Sequence, residues 1–320
     1  MSNTRREFLQ TGAALAAGLM VGAANKLAAA EVKAALPPGR DTQLPAATVQ
    51  VPRMKFGNVE ISRMVMGVNT LYGFAHFNNN YSGAMRDWYT PEKVCEVLHR
   101  ANAFGINAFN FVDVPRSGED LARFQGEGGK MHLIMQVTAN NDSADLVRKY
   151  KPLALQRRGE ETDVAFRNGT MAAERDWCKK ARDLGVMVGV GAHNPDVISM
   201  VEDQGWDVDF FSGCIYRRSR TPEEWKQVLH GEMMELPNEI YLQSDPARMY
   251  KVLRQTAKPC FAFKILAAGR IEDEAGVKQA FRTAFESIKP IDGIYVGMFP
   301  RGKDEIRENS EIVHSLLTTA

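Results

Sequence analysis

Short apolar runs alternate with amphipathic stretches along most of the chain. Runs rich in Val, Ile, Phe and Met, several of them preceded by Gly or Pro, are typical of buried β-strands. The predicted strands are Ser62–Val68, Ala108–Val112, Leu133–Val137, Pro152–Gln156, Val186–Gly191, Val208–Cys214, Cys260–Leu266 and Gly293–Met298. The stretches between them predict helices over Pro91–Phe104, Met171–Leu184, Asp196–Asp203, Pro246–Thr256, Glu274–Ile288 and Lys303–Leu317.

Eight strands that alternate with helices predict an α/β fold, a closed (β/α)8 TIM barrel over residues 51–320. The alternative is an open doubly wound sheet, which would favour a Gly-rich turn after the first strand. The turn here is Gly67-Val68-Asn69-Thr70 and has no GxGxxG pattern. The barrel is therefore the favoured architecture.

The N-terminus resembles an export signal. Arg5-Arg6 stands before Phe8 and Leu9, the run Ala13–Ala24 carries no charge, and Ala28-Ala29-Ala30 offers small residues for cleavage. The alternative, a membrane helix, needs about 20 apolar residues, more than this run provides. We expect a twin-arginine signal peptide over residues 1–30, a flexible leader over 31–50, transfer by the twin-arginine (Tat) translocase, and a periplasmic location.

Composition excludes some partners and leaves others open. Lys and Arg number 40 against 39 Asp and Glu, so nothing indicates nucleic acid or an acidic membrane, and no second apolar stretch is long enough to span a bilayer. The four cysteines are far apart; we expect core residues, with a disulfide as the alternative. No fixed spacing indicates a metal, although Asp113, Glu160 and His193 could meet across a barrel mouth.

The carboxyl ends of the strands are where a barrel carries its chemistry. The long first loop, Leu71–Tyr89, is rich in Asn and aromatic residues and suits a lid or binding loop. Its polar residues could bond sugar hydroxyls, with Tyr72, Phe74, Trp88 and Tyr89 as stacking faces, or could cap turns of the loop itself. The candidate substrate-binding residues are Asn69, Tyr72, His76, Asn78, Gln136, Arg158, Asn194 and Tyr216.

The candidate catalytic residues are Asp113, His193 and Glu160, each near a strand end. A His or a carboxylate at such a position can handle a proton or orient a substrate oxygen, and the alternatives are a bonded structural His and a charged rim network. Lys264, at the end of the seventh predicted strand, could contact an anion, form a Schiff base if buried, or cap loop carbonyls.

Four segments resemble the aldo-keto reductase superfamily, over most of residues 54–317. They are Met54–Arg63 with Met66-Gly67, Gly189–Pro195, Phe263–Gly269, and Val296–Met298 followed by Arg307–Asn309. The resemblance implies a barrel with a nicotinamide cofactor, NADP or NAD. Basic residues at the start of the last predicted helix agree with phosphate binding there. The expected cofactor-binding residues are Lys264, Arg301, Lys303, Arg307 and Asn309.

The catalytic tetrad of that family is degenerate here, as in an exported subgroup that the chain also resembles. Asp113 is kept, but no Tyr lies in Val114–Glu119. Gln136-Val137-Thr138 stands where the family has Thr-Lys, and Gln156-Arg157-Arg158 where it has His. The standard proton donor is therefore missing.

Three functions follow. The first hypothesis is an exported, nicotinamide-dependent oxidoreductase on a small carbonyl or sugar-like compound, with an unusual proton donor. The second is a non-redox carbohydrate lyase, epimerase or hydrolase that uses carboxylates and His at the mouth. The third is a catalytically silent barrel that binds a ligand or partner.

Overall fold

The computed structural model describes residue 47 and residues 49–230 and 239–318. The predicted signal peptide and most of the predicted leader lie outside the described residues. The end of that leader packs on the barrel: Gln50 donates from its side chain to the carbonyl of Ala103 at 2.8 Å.

Eight parallel strands close into a barrel, which confirms the predicted (β/α)8 fold. The first and last strands of the ring pair directly, Met64 beside Ile294, and this pairing rules out the open sheet. Strands β1 (Arg53–Phe56) and β2 (Val59–Ser62) form an antiparallel hairpin outside the ring. The barrel strands are β3 (Met64–Gly67), β4 (Ala108–Phe111), β5 (His132–Val137), β6 (Ala154–Arg157), β7 (Met187–Ala192), β8 (Phe210–Cys214), β9 (Cys260–Phe263) and β10 (Gly293–Val296).

Helices surround this ring, and the six predicted ones are all present to within two residues at either end. The helices are α1 (Asn79–Trp88), α2 (Pro91–Ala103), α3 (Ser117–Gly126), α4 (Ser143–Tyr150), α5 (Gly159–Asn168), α6 (Met171–Arg182), α7 (Pro195–Asp203), α8 (Pro222–Leu229), α9 (Asp245–Gln255), α10 (Glu274–Ser287) and α11 (Glu305–Thr318).

The predicted long first loop is partly helical, which corrects the sequence interpretation. A short 3-10 helix covers Asn69–Tyr72, and α1 occupies most of the remainder. Asn78 begins α1, because its side-chain oxygen accepts a hydrogen bond from the backbone of Tyr81 at 2.7 Å. The Asn-rich stretch therefore caps its own helix, the alternative weighed above.

The hairpin closes one end of the barrel. Inward-facing residues of the strands form a core with Met54, Phe56 and Ile61. The Phe56 ring lies 5.1 Å from that of Phe210 and 5.3 Å from that of Phe261, both near the starts of their strands. Since the amino-terminal ends are covered, the carboxyl ends are left for a site.

A polar layer crosses the barrel interior above this core. Gln136 donates to Asn110 at 2.7 Å, and the buried Tyr295 hydroxyl donates to Gln156 at 3.0 Å. Buried polar groups are tolerated where they find partners. These side chains form the floor of the mouth.

All four cysteines are buried and free, as expected of core residues. No helix in the described part of the chain is long and apolar enough to cross a membrane.

Candidate active site

Charged and polar side chains from the segments that follow β3, β6, β7, β8 and β9 meet at the carboxyl end of the barrel. We call this set the mouth cluster. Its members are His76, Asp163, His193, Arg218, Glu239, Tyr241 and Lys264.

Glu239 is the centre of the mouth cluster. Its Oε1 accepts from His76 Nδ1 at 2.8 Å and pairs with Arg218, while its Oε2 accepts from the Tyr241 hydroxyl at 2.7 Å and lies 3.3 Å from Lys264 Nζ. Burial favours a higher pKa, but the His76 bond and the positive charges of Lys264 and Arg218 outweigh it and hold the pKa of Glu239 well below its usual range. This carboxylate is therefore ionised at neutral pH.

Lys264 is the most perturbed cation of the mouth cluster. Its side chain is 10% exposed. Burial, helped by the Arg218 charge and partly opposed by Glu239, lowers the pKa of Lys264 to about 8. About a tenth of such amines is neutral at pH 7, far more than for an exposed lysine.

Two residues of the mouth cluster have left-handed backbones. Lys264 has φ 63° and His76 has φ 54°. A residue other than glycine in this region costs on the order of 1 kcal/mol or more, and it persists where surrounding contacts hold it. Both side chains contact Glu239, so the strained backbones belong to the arrangement of the site.

The two histidines are neutral, and each carries its ring hydrogen on Nδ1. His193 donates from Nδ1 to Asp163 at 2.9 Å and accepts at Nε2 from Arg218 at 3.2 Å. His76 donates from Nδ1 to Glu239 and accepts at Nε2 from the Asn69 amide at 3.1 Å. Burial lowers the pKa of both rings. Since all four ring nitrogens have partners, the histidines orient Arg218 and Asn69 and are not free bases.

A close approach of α5 to β7 brings Asp163 to His193. A Cβ added to Gly159 would lie 2.9 Å from the backbone nitrogen of Ala192, and the Thr162 hydroxyl donates to the carbonyl of Gly191 at 2.5 Å. One turn into α5, Asp163 accepts from the backbone N–H groups of both His193, at 3.1 Å, and Asn194, at 3.0 Å. The small residues therefore allow the contact that orients the His193 ring.

No family model and no curated protein matches the chain, and the solved structures that resemble it do so at low identity. A truncated 3-deoxy-D-arabino-heptulosonate 7-phosphate synthase from Thermotoga maritima has 13% identity and a TM-score of 0.49, over 85% of this chain and 92% of that one. The glycerol dehydrogenase from Gluconobacter oxydans has 12% identity and a TM-score of 0.45, over 82% and 95%. A mandelate oxidase variant has 14% identity and a TM-score of 0.48, over 87% and 80%.

At such identities and TM-scores, these similarities carry no information on the activity of this chain. The membership of the aldo-keto reductase superfamily stays a prediction from the sequence motifs.

Several residues predicted from the sequence do meet at the mouth. Asn69, His76, His193 and Lys264 lie in or against the mouth cluster. Tyr216 packs on Tyr241 with ring centroids 4.9 Å apart. Gln136 lies in the floor of the mouth. Asn194 contacts the mouth cluster through its backbone N–H, which donates to Asp163, and its side chain caps α7.

Two predicted catalytic residues lie elsewhere. Asp113 accepts from the Tyr150 hydroxyl at 2.6 Å and lies 3.6 Å from Lys149 Nζ, both on α4. The neighbours of Asp113 are therefore a tyrosine and a lysine of the surrounding helices. Burial and the hydrogen bond to Asp113 raise the pKa of Tyr150, which makes this tyrosine a poor proton donor. Glu160 is 68% exposed beside Arg158, at 3.6 Å, and it is Asp163 that meets His193.

Two predicted substrate-binding residues also have other partners. Tyr72 donates to Asp120 at 3.2 Å, and the Arg116 guanidinium lies 5.6 Å from its ring centroid. Asn78 is occupied as the cap of α1. These contacts support the structure around the first loop.

The predicted cofactor-binding residues divide into two places. Lys264 belongs to the mouth cluster, whereas the others surround the start of α11. Arg301 is exposed and lines an open cleft of about 490 Å³ beside α1. Lys303 pairs with Glu308 at 2.8 Å, Asn309 is buried, and Arg307 has a buried Nε without a partner in the described part of the chain. Arg301 and Arg307 fit an anionic group there, but Lys264 does not join them.

Four members of the mouth cluster were not among the predicted site residues: Asp163, Arg218, Glu239 and Tyr241. The basic run Arg217–Arg220 directly after β8 was a usable signal for Arg218. Glu239 lies 25 residues before its partner Lys264, and no spacing rule joins two such positions. The two residues meet only when the eight strands close into the barrel.

Among the described residues, no group of three or more His, Cys, Asp or Glu side chains lies where it could hold a metal ion. Asp113, Glu160 and His193, the residues weighed for such a site, have separate partners.

Proposed function

We propose that the protein is an enzyme that catalyses non-redox chemistry, of the lyase or epimerase kind, next to the carbonyl of a small hydroxylated compound. The observation that carries this proposal is the buried Lys264 against Glu239 at the barrel mouth. A buried lysine at the barrel mouth whose pKa is lowered to about 8 suits acid–base or nucleophilic chemistry at pH 7.

The other members have supporting roles in the proposed site. Glu239 holds Lys264 and balances its charge. Arg218, held by His193 and Glu239, lies where it can donate to a substrate oxygen on which negative charge develops. The rings of Tyr216 and Tyr241 offer an aromatic wall for a sugar-like substrate.

Solvent exchange tests this function without knowledge of the product. The chain from residue 31 onward is incubated in D2O with aldoses, ketoses and uronic acids, and NMR follows hydrogen-to-deuterium exchange at the carbon next to the carbonyl. We expect exchange with wild type and its loss in Lys264→Met. The control is Lys258→Met, a half-buried lysine that pairs with Glu202 at 2.7 Å before β9. No exchange above the buffer rate with any substrate class would refute the proposal.

A nicotinamide-dependent oxidoreductase is the second candidate function. The unpartnered Nε of Arg307 and the exposed Arg301 at the start of α11 favour it, because both suit a phosphate. A bound nicotinamide would supply hydride transfer. Titration with NADPH and NADH, followed by tryptophan fluorescence, tests it. Saturable micromolar binding that weakens in Arg301→Ala supports this candidate, and no binding at millimolar cofactor rejects it.

Export is part of the proposal. A periplasmic enzyme meets little free nicotinamide cofactor, which agrees better with the non-redox function. Replacing Arg5 and Arg6 by Lys in the full chain should retain the protein in the cytoplasm. Cell fractionation measures this, and unchanged export would reject the twin-arginine route.

A further inference from the structure

Lys264 has the environment of a nucleophile. Its amine is nearly buried and has one carboxylate oxygen near it, at 3.3 Å, a long contact for a charged pair. Lys289, another nearly buried lysine, is bound more fully: its Nζ donates to the carbonyl of Leu253 and lies 2.9 Å from Asp292. Of these two amines, Lys264 is the less tightly held and the one at the barrel mouth.

We propose that Lys264 acts covalently and forms an imine with the carbonyl carbon of a small aldehyde or ketone. This inference rests on the proposed function and names the bond through which the substrate is activated. The substrate class is then a small carbonyl compound with hydroxyl groups, of a size that reaches Lys264 through the mouth.

The step balances within the site. The ammonium first releases a proton, and the neutral nitrogen attacks the carbonyl carbon while the C=O π electrons move to oxygen. That oxygen takes up two protons, one lost by the attacking nitrogen and one equal to the proton released at the start. It then leaves as water, and the C=N bond forms. In total, ammonium and carbonyl give iminium and water, so the positive charge stays on the nitrogen.

The mouth cluster fits this conservation of charge. Glu239 is ionised and faces the nitrogen of Lys264, so the same carboxylate pairs with the ammonium before the step and with the iminium after it. His76, Arg218 and Tyr241 hold Glu239 from its other sides. The electron-withdrawing iminium then makes the neighbouring C–H or C–C bond easier to break, which is the chemistry of the proposed function.

Reductive trapping tests the imine. Wild type is incubated at pH 7 with glyceraldehyde or pyruvate and sodium cyanoborohydride, and peptide mass spectrometry measures labelling at each lysine. We expect Lys264 to be labelled at least tenfold more than Lys258 or Lys289. The Lys264→Arg variant, with its fold checked by circular dichroism, should lose this label and keep the background at the other lysines.

The outcomes separate the imine from the proposed function. Labelling that follows exposure and spares Lys264 overturns the imine. If wild type nevertheless catalyses deuterium exchange that depends on Lys264, the proposed function stands and Lys264 acts without a covalent bond. Selective labelling of Lys264 without any exchange supports the imine and rejects the proposed proton chemistry.

Discussion

Asp163 accepts two kinds of hydrogen bond from His193, one from the backbone N–H at 3.1 Å and one from the ring Nδ1 at 2.9 Å. Asp163 is 4% exposed and lies within α5, so the position of its carboxylate depends on the packing of α5 against β7. The Asp163 carboxylate holds His193 in the tautomer with hydrogen on Nδ1, and Nε2 of His193 then accepts a hydrogen bond from Arg218. The orientation of Arg218 at the mouth therefore depends on a residue that lies behind the histidine.

We expect Asp163→Asn to destabilise the protein by about 2–3 kcal/mol, because an amide leaves buried donors without a full set of acceptors. Urea unfolding followed by circular dichroism measures the change. The matched control is Glu160→Gln on the same helix, which is exposed and should shift stability by less than about 0.5 kcal/mol. Equal effects of the two variants would contradict the buried role of Asp163.

Gly159→Ala should destabilise the protein by about 1–3 kcal/mol, because its Cβ would lie 2.9 Å from the backbone of Ala192 and force α5 away from β7. Gly126→Ala is the control, since nothing lies within 4 Å of a Cβ at that position in α3. Thermal unfolding compares the two. A Gly159→Ala protein as stable as the control would show that α5 has room to move.

The Lys264 reaction should speed up as pH rises. The pKa of Lys264 is lowered to about 8, and the neutral amine is the reactive form, so the rate should increase about tenfold per pH unit below 8 and level off above it. The initial rate of cyanoborohydride trapping between pH 6 and 9.5 measures this profile. A rate that still rises about tenfold per pH unit at pH 9.5 would mean that burial does not perturb the amine.

Glu239→Gln should move the midpoint of this pH profile to lower pH. The carboxylate raises the pKa of Lys264 against the effect of burial, so its removal leaves the ammonium less stabilised. The same pH series, run on the variant, measures the shift. Proton exchange with substrate should also fall, about 100-fold, because the counter-charge of the reacting nitrogen is lost. A midpoint that rises or stays unchanged would exclude Glu239 as the partner of Lys264.

Asp113→Asn should leave the mouth chemistry intact. The bond from Tyr150 ties α4 to the end of β4, so we expect a loss of about 1 kcal/mol in stability and unchanged trapping at Lys264. Tyr150→Phe removes the same bond from the other side and should have a similar effect on urea unfolding. Loss of trapping in Asp113→Asn alone would return Asp113 to the catalytic set.

The strands of this barrel were predictable because a parallel strand is buried on both faces. Each therefore appears in the sequence as a short apolar run, and all eight runs lie at the strands of the structure. The helices α3, α4, α5 and α8 were harder to recognise, since they are short and carry many charged residues. Helix α1 was obscured by an Asn-rich stretch that is typical of loops.

The site was predictable in part, for a related reason. Residues directly after a strand, such as His193 and Lys264, must lie at the mouth of a parallel barrel, whatever else the chain does. Residues farther into a helix or loop have no such constraint. Asp163 and Glu160 are three positions apart on α5, a spacing that places both on nearly the same side of the helix. Asp163 is nevertheless buried against β7 while Glu160, in the first turn, is exposed, because the packing of α5 covers one position and leaves the other open.

The sequence by itself determined the architecture, the end of the barrel that carries the candidate site, and several residues around it. The reason is that the alternation of apolar strands and amphipathic helices is a local property of the chain. The tertiary structure decided which charges meet. Glu239 reaches His76 across 163 positions of sequence and Lys264 across 25. Burial lowers the pKa of Lys264, and the Glu239 contact partly opposes this effect. Burial and charge at one point depend on distant segments, so they arise when the barrel closes.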